Sequence, residues 1–319
     1  MNAAGRLGMF TAGAAVAFAA AFGVASVLVP DSVAAAPSEG ETMKDHSTTD
    51  ASSGSGTASP AGVSLSGGGF FLSSVTAPAA TGVAGELTFR ILTDEGEPLT
   101  EFAVAHERDL HLIVVRSDGS RFRHVHPVLD QQTGMWSLPW EWDAAGTYRV
   151  YADFTPGGQD AEGVTLSRTV QVTGDYQPVN AEPSRTAQVA GYTASIAGDL
   201  VAGSMTDLAI SVSRDGKPVT TLEPYLGAFG HLVALRDGDL AYLHVHAEGD
   251  EPRPGDTSGP EIAFMAEAPT PGRYLLYLDF QVDGQVHTAG FVLDAGAGHG
   301  SSDASTLNEE PHDEEPHGH

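Results

Sequence analysis

Short apolar runs in the middle of the chain alternate with turn residues at regular intervals. One pair of runs flanks Asp118-Gly119 and a second pair flanks Gly238-Asp239, and both pairs are rich in apolar and β-branched residues. This pattern is typical of β-hairpins closed by two-residue type I′ or II′ turns. No long stretch with helical periodicity lies between the two pairs. The pattern predicts an all-β fold that contains these two hairpins.

The two hairpins belong to an internal repeat. A Gly-x-Tyr strand follows each hairpin, at Tyr148 and at Tyr274, and each of these strands ends in Asp-Phe. Earlier in each copy, a strand precedes a Gly-x-Pro turn that ends at Pro98 or at Pro218. Short strands separated by turns indicate a β-sandwich, and the Gly-x-Tyr strand resembles the tyrosine corner of immunoglobulin-like domains. We therefore expect two tandem immunoglobulin-like β-sandwich domains after an N-terminal transmembrane helix.

Composition divides the chain into six segments. Large apolar residues are scarce before the first repeat and after the second, which predicts a flexible linker and a disordered tail. The tail is rich in His and carboxylates, a composition that binds divalent ions weakly or serves only to keep the protein in solution. The predicted segments are a signal anchor (1–29), a linker (30–66), repeat 1 (67–174), a connector (175–187), repeat 2 (188–294) and the acidic, His-rich tail (295–319).

The N-terminal segment is long enough to cross a membrane. Residues 7–29 are apolar apart from Thr11 and Ser26, and about 20 such residues span a bilayer. Arg6 before the span and the acidic chain after it predict a single-pass protein whose domains lie outside the cytoplasm. Cleavage after Ala36, among small residues, is the alternative, and the protein would then be secreted.

Charge and composition exclude several classes of function. The chain has 42 acidic and 15 basic residues, with a formal net charge of −27, which argues against nucleic-acid binding and favours cations. It contains no cysteine, so that disulfides, thiolate ligands and cysteine nucleophiles are excluded. The nucleophile elbow, the zinc-protease helix, the P-loop and the Rossmann fingerprint are absent. We expect a protein that is not an enzyme and whose metal ligands can only be His, carboxylate or Met.

Each hairpin carries three histidines with the same spacing. In the first hairpin a two-residue turn would place His111 opposite His126, and Ile113 opposite His124. In the second hairpin it would place His231 opposite His246, and Val233 opposite His244. Residues that are opposite each other or two apart in a strand share one face of the sheet, and their Cβ atoms are close enough for three imidazoles to bind one ion. The predicted metal ligands are His111, His124 and His126 in the first repeat and His231, His244 and His246 in the second.

These histidines have two interpretations. Single histidines on apolar strands usually have structural roles, but three adjacent buried imidazoles are costly unless their nitrogens have partners. Imidazole ligands without sulfur favour Cu(II), with Zn(II) or another divalent transition metal as alternatives. Three histidines also leave coordination positions open for water or a further ligand. Candidates for such a ligand are His106, Asp153, Asp279 and His287.

The apolar Ala-rich N-terminal segment, the His-rich tail and the His-Leu…His-x-His hairpins followed by Gly-x-Tyr strands resemble a known family. It consists of membrane-anchored, exported actinobacterial proteins described as heavy-metal-associated, with domains similar to CopC-like and YtkA-like β-sandwiches. The resemblance covers about residues 70–294 and implies extracytoplasmic copper handling. The chain lacks the N-terminal histidine and the Met-rich loop of CopC, so the CopC binding mode cannot be transferred.

Together these features predict a membrane-tethered, extracytoplasmic protein that binds Cu(II), or alternatively Zn(II), for buffering or delivery. Its partners would be the metal ion and a membrane metal transporter or another surface protein, with no nucleic acid. The alternative is a cell-surface immunoglobulin-like interaction module in which the histidine cluster is structural.

Overall fold

The computed structural model describes residues 62–159, 161–243 and 245–298. These residues fall within one compact unit and form strands and turns, without an α-helix. Among them, no helix has the length and the apolar character needed to cross a membrane. The predicted signal anchor, almost all of the linker and nearly the whole tail lie outside the described residues, as does His244.

All strand pairs in the sheets of the described residues are antiparallel. In repeat 1 the strands are β1 (Ser66–Gly67), β2 (Phe70–Leu72), β3 (Gly85–Phe89), β4 (Ile91–Thr93), β5 (Phe102–Ala103), β6 (Leu110–Arg116), β7 (Arg123–Val125), β8 (Val128–Asp130), β9 (Met135–Trp140), β10 (Gly146–Pro156) and β11 (Val164–Val172). In repeat 2 they are β12 (Thr186–Val189), β13 (Tyr192–Ala197), β14 (Met205–Arg214), β15 (Lys217–Pro218), β16 (His231–Arg236), β17 (Tyr242–Leu243), β18 (Val245–Ala247), β19 (Glu261–Glu267), β20 (Gly272–Val282) and β21 (Gln285–Ala295).

Each repeat packs sheets around its own apolar core. In repeat 1 the main sheet has the order β11-β10-β6-β7, with β5 on β10, and the smaller sheets are β3-β9-β8 and β1-β2-β4. In repeat 2 the sheets are β17-β16-β20-β21 and β12-β13-β14-β19-β18, with β15 on β14. Trp136, Trp140 and Trp142 are buried in the repeat 1 core. The described part of the chain is therefore confirmed as all-β, with two repeated domains.

The tyrosine corners confirm the equivalence of the Gly-x-Tyr strands. The Tyr148 hydroxyl donates to the Ala144 carbonyl at 2.8 Å, and the Tyr274 hydroxyl donates to the Thr270 carbonyl at the same distance. In both repeats the tyrosine thus ties the start of its strand to the backbone four residues earlier, as in immunoglobulin-like sandwiches.

The registers of both hairpins agree with the prediction, but their turns differ. Ile113 lies opposite His124 in the first hairpin, and Leu235 lies opposite Tyr242 in the second. A type I′ loop needs two consecutive left-handed residues. Instead, left-handed residues alternate with others, at Gly119 and Arg121 and likewise at Gly238 and Leu240. In the first turn, the Asp118 carboxylate accepts hydrogen bonds from the side chains of Arg116 and Ser120, and these bonds stabilise the wider loop.

The two strands of the second hairpin, β16 and β17, pair over two positions and then separate. From Val245 onward the returning strand pairs with β19 of the opposite sheet, where His246 lies opposite Met265. The predicted pairing of His231 with His246 is therefore wrong. Leu243 and Val245 both pack against the repeat 2 core, and His246 is exposed.

A third apolar cluster joins the repeats and is nearly symmetric. The Tyr151 hydroxyl donates to the Leu240 carbonyl, and the Tyr277 hydroxyl donates to the Gly119 carbonyl, both at 2.5 Å. Each repeat thus donates a tyrosine hydrogen bond to the hairpin turn of the other. The buried members of the cluster are Ile113, Val115, Tyr151, Val233, Leu235, Leu240, Tyr242, Leu275 and Tyr277.

Candidate functional site

Three of the predicted ligands meet at one end of this interface. His111 lies on β6, His124 lies opposite on β7, and His126 follows β7 directly. His111 Nδ1 is 3.0 Å from His124 Nε2 and 3.3 Å from His126 Nε2. Potential ligand atoms of the three residues all lie within 4.8 Å of one another. The alternation of side chains in the first hairpin brings the triad together as predicted.

Two ring nitrogens that face away from the centre of the triad have oxygen partners. His111 Nε2 lies 3.0 Å from the Ala105 carbonyl, and His124 Nδ1 lies 2.9 Å from an Asp279 carboxylate oxygen. Both oxygens can only accept, so both nitrogens must donate. In neutral rings the inward-facing nitrogens, His111 Nδ1 and His124 Nε2, then carry lone pairs. Two acceptors that face each other at 3.0 Å repel unless a cation lies between them.

Repeat 2 closes the site. The His231 ring stacks parallel to the His111 ring at a centroid distance of 5.7 Å and lies 4.9 Å from the His124 ring. The side chains of His124 and Asp279 are 0% and 3% exposed, and the Thr288 hydroxyl donates to the other oxygen of Asp279 at 2.5 Å. The cluster therefore draws on both repeats.

Burial keeps several of these imidazoles neutral. It lowers the pKa of His111 to about 4 and, with the neighbouring histidines, the pKa of His126 to about 3. Burial also lowers the pKa of His231 well below its usual value. Neutral imidazole is the form that binds metal, so these rings are ready to act as ligands near neutral pH.

The donor set fits a bound transition-metal ion. Nitrogens about 2.1 Å from a tetrahedral ion lie about 3.4 Å apart, close to the two nitrogen separations at His111. Metal-binding histidines usually donate their second N–H to a carboxylate or a backbone carbonyl. His124 and His111 have these two partners, respectively. Three nitrogen donors leave one position of a tetrahedral ion free for a further ligand.

The other candidate residues are distributed unevenly. His246 is exposed on β18, and His244 lies outside the described residues, so a second triad in repeat 2 stays a prediction. Asp279 contacts the cluster, whereas His287 packs against Tyr192 and Phe280 elsewhere in repeat 2. Asp153 accepts a hydrogen bond from Thr165.

The sequence pattern did not reveal that His231 joins the first triad. The only signal was that His111 and His231 share a strand face with the apolar residues that later form the interface, Ile113 and Val233. When a strand also carries apolar residues on the face that points away from the domain core, that face can indicate an interface.

A cavity of about 330 Å³ lies beside the cluster. His106 lines it, and the His106 ring also lies 6.0 Å from the His111 ring and 5.5 Å from the His231 ring. The other ionisable residues around the cavity are His246, Glu248, Asp250 and Glu261. His106 thus connects an acidic cavity with the buried imidazoles.

Comparison with solved structures finds only weak likeness. Invasin, a bacterial integrin-binding protein, is 13% identical with a TM-score of 0.21, and the match covers 72% of this chain and 39% of invasin. The D0-D1 domain of intimin is 14% identical, with a TM-score of 0.20, and the match covers 69% of this chain and 98% of that domain. The FN1-FN3 domains of chicken CNTN1 are 10% identical, with a TM-score of 0.18 over 70% of this chain and 66% of theirs. These likenesses are too weak to transfer any property.

No curated protein matches the chain. A family profile, in contrast, matches it twice, over residues 69–174 and 187–297, which together make up more than half of the sequence. The family description specifies no ligand, so the expected heavy-metal role stays a prediction. The chain belongs to the family described as a domain of unknown function (DUF8832), of which it carries two copies.

Proposed function

We propose that this protein binds a divalent transition-metal ion through His111, His124 and His126. One observation carries the proposal: two ring nitrogens that must both be acceptors in neutral rings face each other at 3.0 Å, with a third nitrogen 3.3 Å from one of them. A metal ion in their midst turns this repulsion into coordination.

Cu(II) is the favoured ion and Zn(II) the next. Imidazole ligands without sulfur suit both, and Cu(II) binds more tightly to nitrogen donors in general. An open coordination position suits an ion that is taken up and passed on. We therefore propose metal buffering or delivery outside the cytoplasm, with a membrane metal transporter or another surface protein as the recipient.

A proton can also remove the repulsion between the two facing nitrogens, and this supports a second candidate function. A proton on His124 Nε2 would make a hydrogen bond to His111 and an ion pair between His124 and Asp279, which belong to different repeats. The cluster would then act as a structural link, and the tandem sandwiches would serve as a cell-surface interaction module. A single proton between His124 and His111 does not explain why a third nitrogen, from His126, also converges on this point. The metal is therefore favoured.

Calorimetric titration with Cu(II) and Zn(II) tests the proposal. The protein should be full-length with the four tail histidines replaced by Ala, so that the tail does not compete. The triple variant H111A/H124A/H126A should lose more than about a hundredfold in affinity at one site. The matched control H287A removes a histidine that packs elsewhere and should bind as tightly as the parent. Equal binding by all three proteins would contradict the metal function and favour the interaction module.

A further inference from the structure

The turn before β6 adopts a strained conformation. Ala105 and Arg108 exchange backbone hydrogen bonds of 2.9 and 3.0 Å, and the two residues between them, His106 and Glu107, have φ of 48° and 63°. This is the geometry of a two-residue type I′ turn, which strongly prefers Asn-Gly. Left-handed φ is uncommon for residues other than Gly, although His adopts it more often than Glu does, and such conformations are concentrated at functional sites.

Repeat 2 contains the same turn with different residues at its two left-handed positions. Tyr225 and Ala228 exchange backbone hydrogen bonds, and Leu226 and Gly227 between them have φ of 56° and 77°. Gly227 adopts this conformation at no steric cost, and Leu226 is completely buried. The fold therefore requires the turn but does not require His106 or Glu107.

His106 has a position that its counterpart Leu226 does not share. Its ring is exposed to the acidic cavity on one side and lies edge-on to the His111 and His231 rings on the other. Two imidazoles that bind one ion have ring centroids about 5 to 6 Å apart. The separations of 6.0 Å and 5.5 Å thus allow an ion held by His106 to be transferred directly to a buried ring.

We propose that His106 is a relay ligand that carries the metal ion between the cavity and the buried triad. This inference rests on the proposed metal function. The carboxylates of the cavity, in a chain of net charge −27, attract the hydrated cation. A ring nitrogen of His106 replaces one bound water, and a triad nitrogen then replaces His106. The turn holds this ring between the cavity and the rings of His111 and His231.

A relay ligand changes the rates of binding and release together. His106 lies outside the set of close ligand atoms and is exposed, so it contributes little to the final bound state. Its removal should slow both directions by a similar factor and leave the equilibrium nearly unchanged. A structural ligand would instead raise the dissociation rate and weaken equilibrium binding.

Stopped-flow kinetics with Cu(II) separates these outcomes in the full-length protein without tail histidines. Association is followed by quenching of tryptophan fluorescence, and release by transfer to EDTA. H106L introduces the residue that the equivalent turn of repeat 2 accommodates, and should slow both rates by about tenfold or more, with Kd within about threefold of the parent. E107G changes the turn without changing the relay ring and should leave both rates as in the parent, as should H287L.

The outcomes distinguish this inference from the proposed function. If the parent protein binds no Cu(II), the metal function itself fails. If the parent binds and H106L exchanges the ion at the parent rates, only the relay is wrong. A loss of equilibrium affinity with an unchanged association rate would also overturn the relay and make His106 a structural ligand.

Discussion

The hairpins of the two repeats have the same histidine spacing and the same strand register, yet they place their histidines differently. In repeat 1, β7 stays beside β6, and His124 and His126 remain next to His111. In repeat 2, the returning strand crosses to the opposite sheet at Val245 and leaves His246 exposed. Among the described residues, the repeated motif therefore produces one cluster to which both repeats contribute. A duplicated ligand pattern does not imply a duplicated site.

The glycines of the two hairpin turns should show the largest difference in stability between the repeats. Gly119 has φ of 77°, and a Cβ there would lie 2.4 Å from Leu275 Cδ1 in the other repeat. Gly238 in repeat 2 also has positive φ, but a Cβ there would contact nothing within 4 Å. G119A should lower the free energy of unfolding by about 3 kcal/mol, from backbone strain and overpacking, whereas G238A should cost only about 1 kcal/mol. Urea unfolding measures both, and equal losses would show that the close approach to Leu275 has no cost.

The aspartates of the same turns should differ in their effect on acid stability. Burial alone would raise the pKa of Asp118, but hydrogen bonds from Arg116, Ser120 and the Val179 N–H lower it to about 2. A lowered pKa in the folded state means that the stabilisation is complete above pH 3.8 and is lost as the pH falls through 2.

D118N should therefore lower the free energy of unfolding by between about 2 and 3 kcal/mol at pH 6, and by much less at pH 2. The measurement is urea unfolding at both pH values. The matched variant D239N changes a carboxylate whose side chain is 45% exposed and should have a smaller effect. A loss for D118N that does not vary with pH would contradict this prediction.

The two described histidines of the second motif should contribute unequally to metal affinity. The His231 ring packs against the His111 and His124 rings, whereas His246 lies on the opposite sheet. H231A should weaken Cu(II) binding by about thirtyfold, or 2 kcal/mol, because it opens the site to water and frees two ligand rings to move. H246A should change the equilibrium affinity by less than about threefold. Competition titration with a chelator measures both, and a larger loss for H246A would place the ion in repeat 2.

The link from Asp279 to His124 should have a smaller effect on affinity. The Asp279 carboxylate orients the His124 ring and raises the basicity of that ring through their hydrogen bond. An amide in its place weakens this hydrogen bond. D279N should therefore weaken metal binding by about tenfold. The control D294N removes an exposed carboxylate paired with Arg273 in the same repeat, and should have no effect. Equal affinities for D279N and the parent would show that the carboxylate does not support the ligand.

The sequence predicted the local parts of this architecture well. The registers of both hairpins follow from alternation and turn position, and the tyrosine corners follow from the Gly-x-Tyr pattern. The triad of repeat 1 came together because all three histidines lie within one hairpin. Such features depend on residues that are close in the sequence or directly paired, and simple strand geometry describes them.

The features that the sequence did not predict depend on distant residues. His124 and Asp279 are 155 positions apart, and only the packing of one repeat against the other brings them together. The crossing of the strand at Val245 depends on which of the two sheets of repeat 2 the returning strand joins. Neither choice is visible in the periodicity of a single strand, because both sheets accept the same alternation of residues.

The reciprocal hydrogen bonds from Tyr151 and Tyr277 give the tandem arrangement a further consequence. In each case a tyrosine of one repeat binds the hairpin turn of the other, so the contact has the form of a symmetric dimer within one chain. The short connector holds the two halves at a high effective concentration, and their association does not depend on how dilute the protein is. Two separate chains would have to remain identical. Joined copies can diverge, so one half can supply the ligands while the other supplies the wall that encloses them.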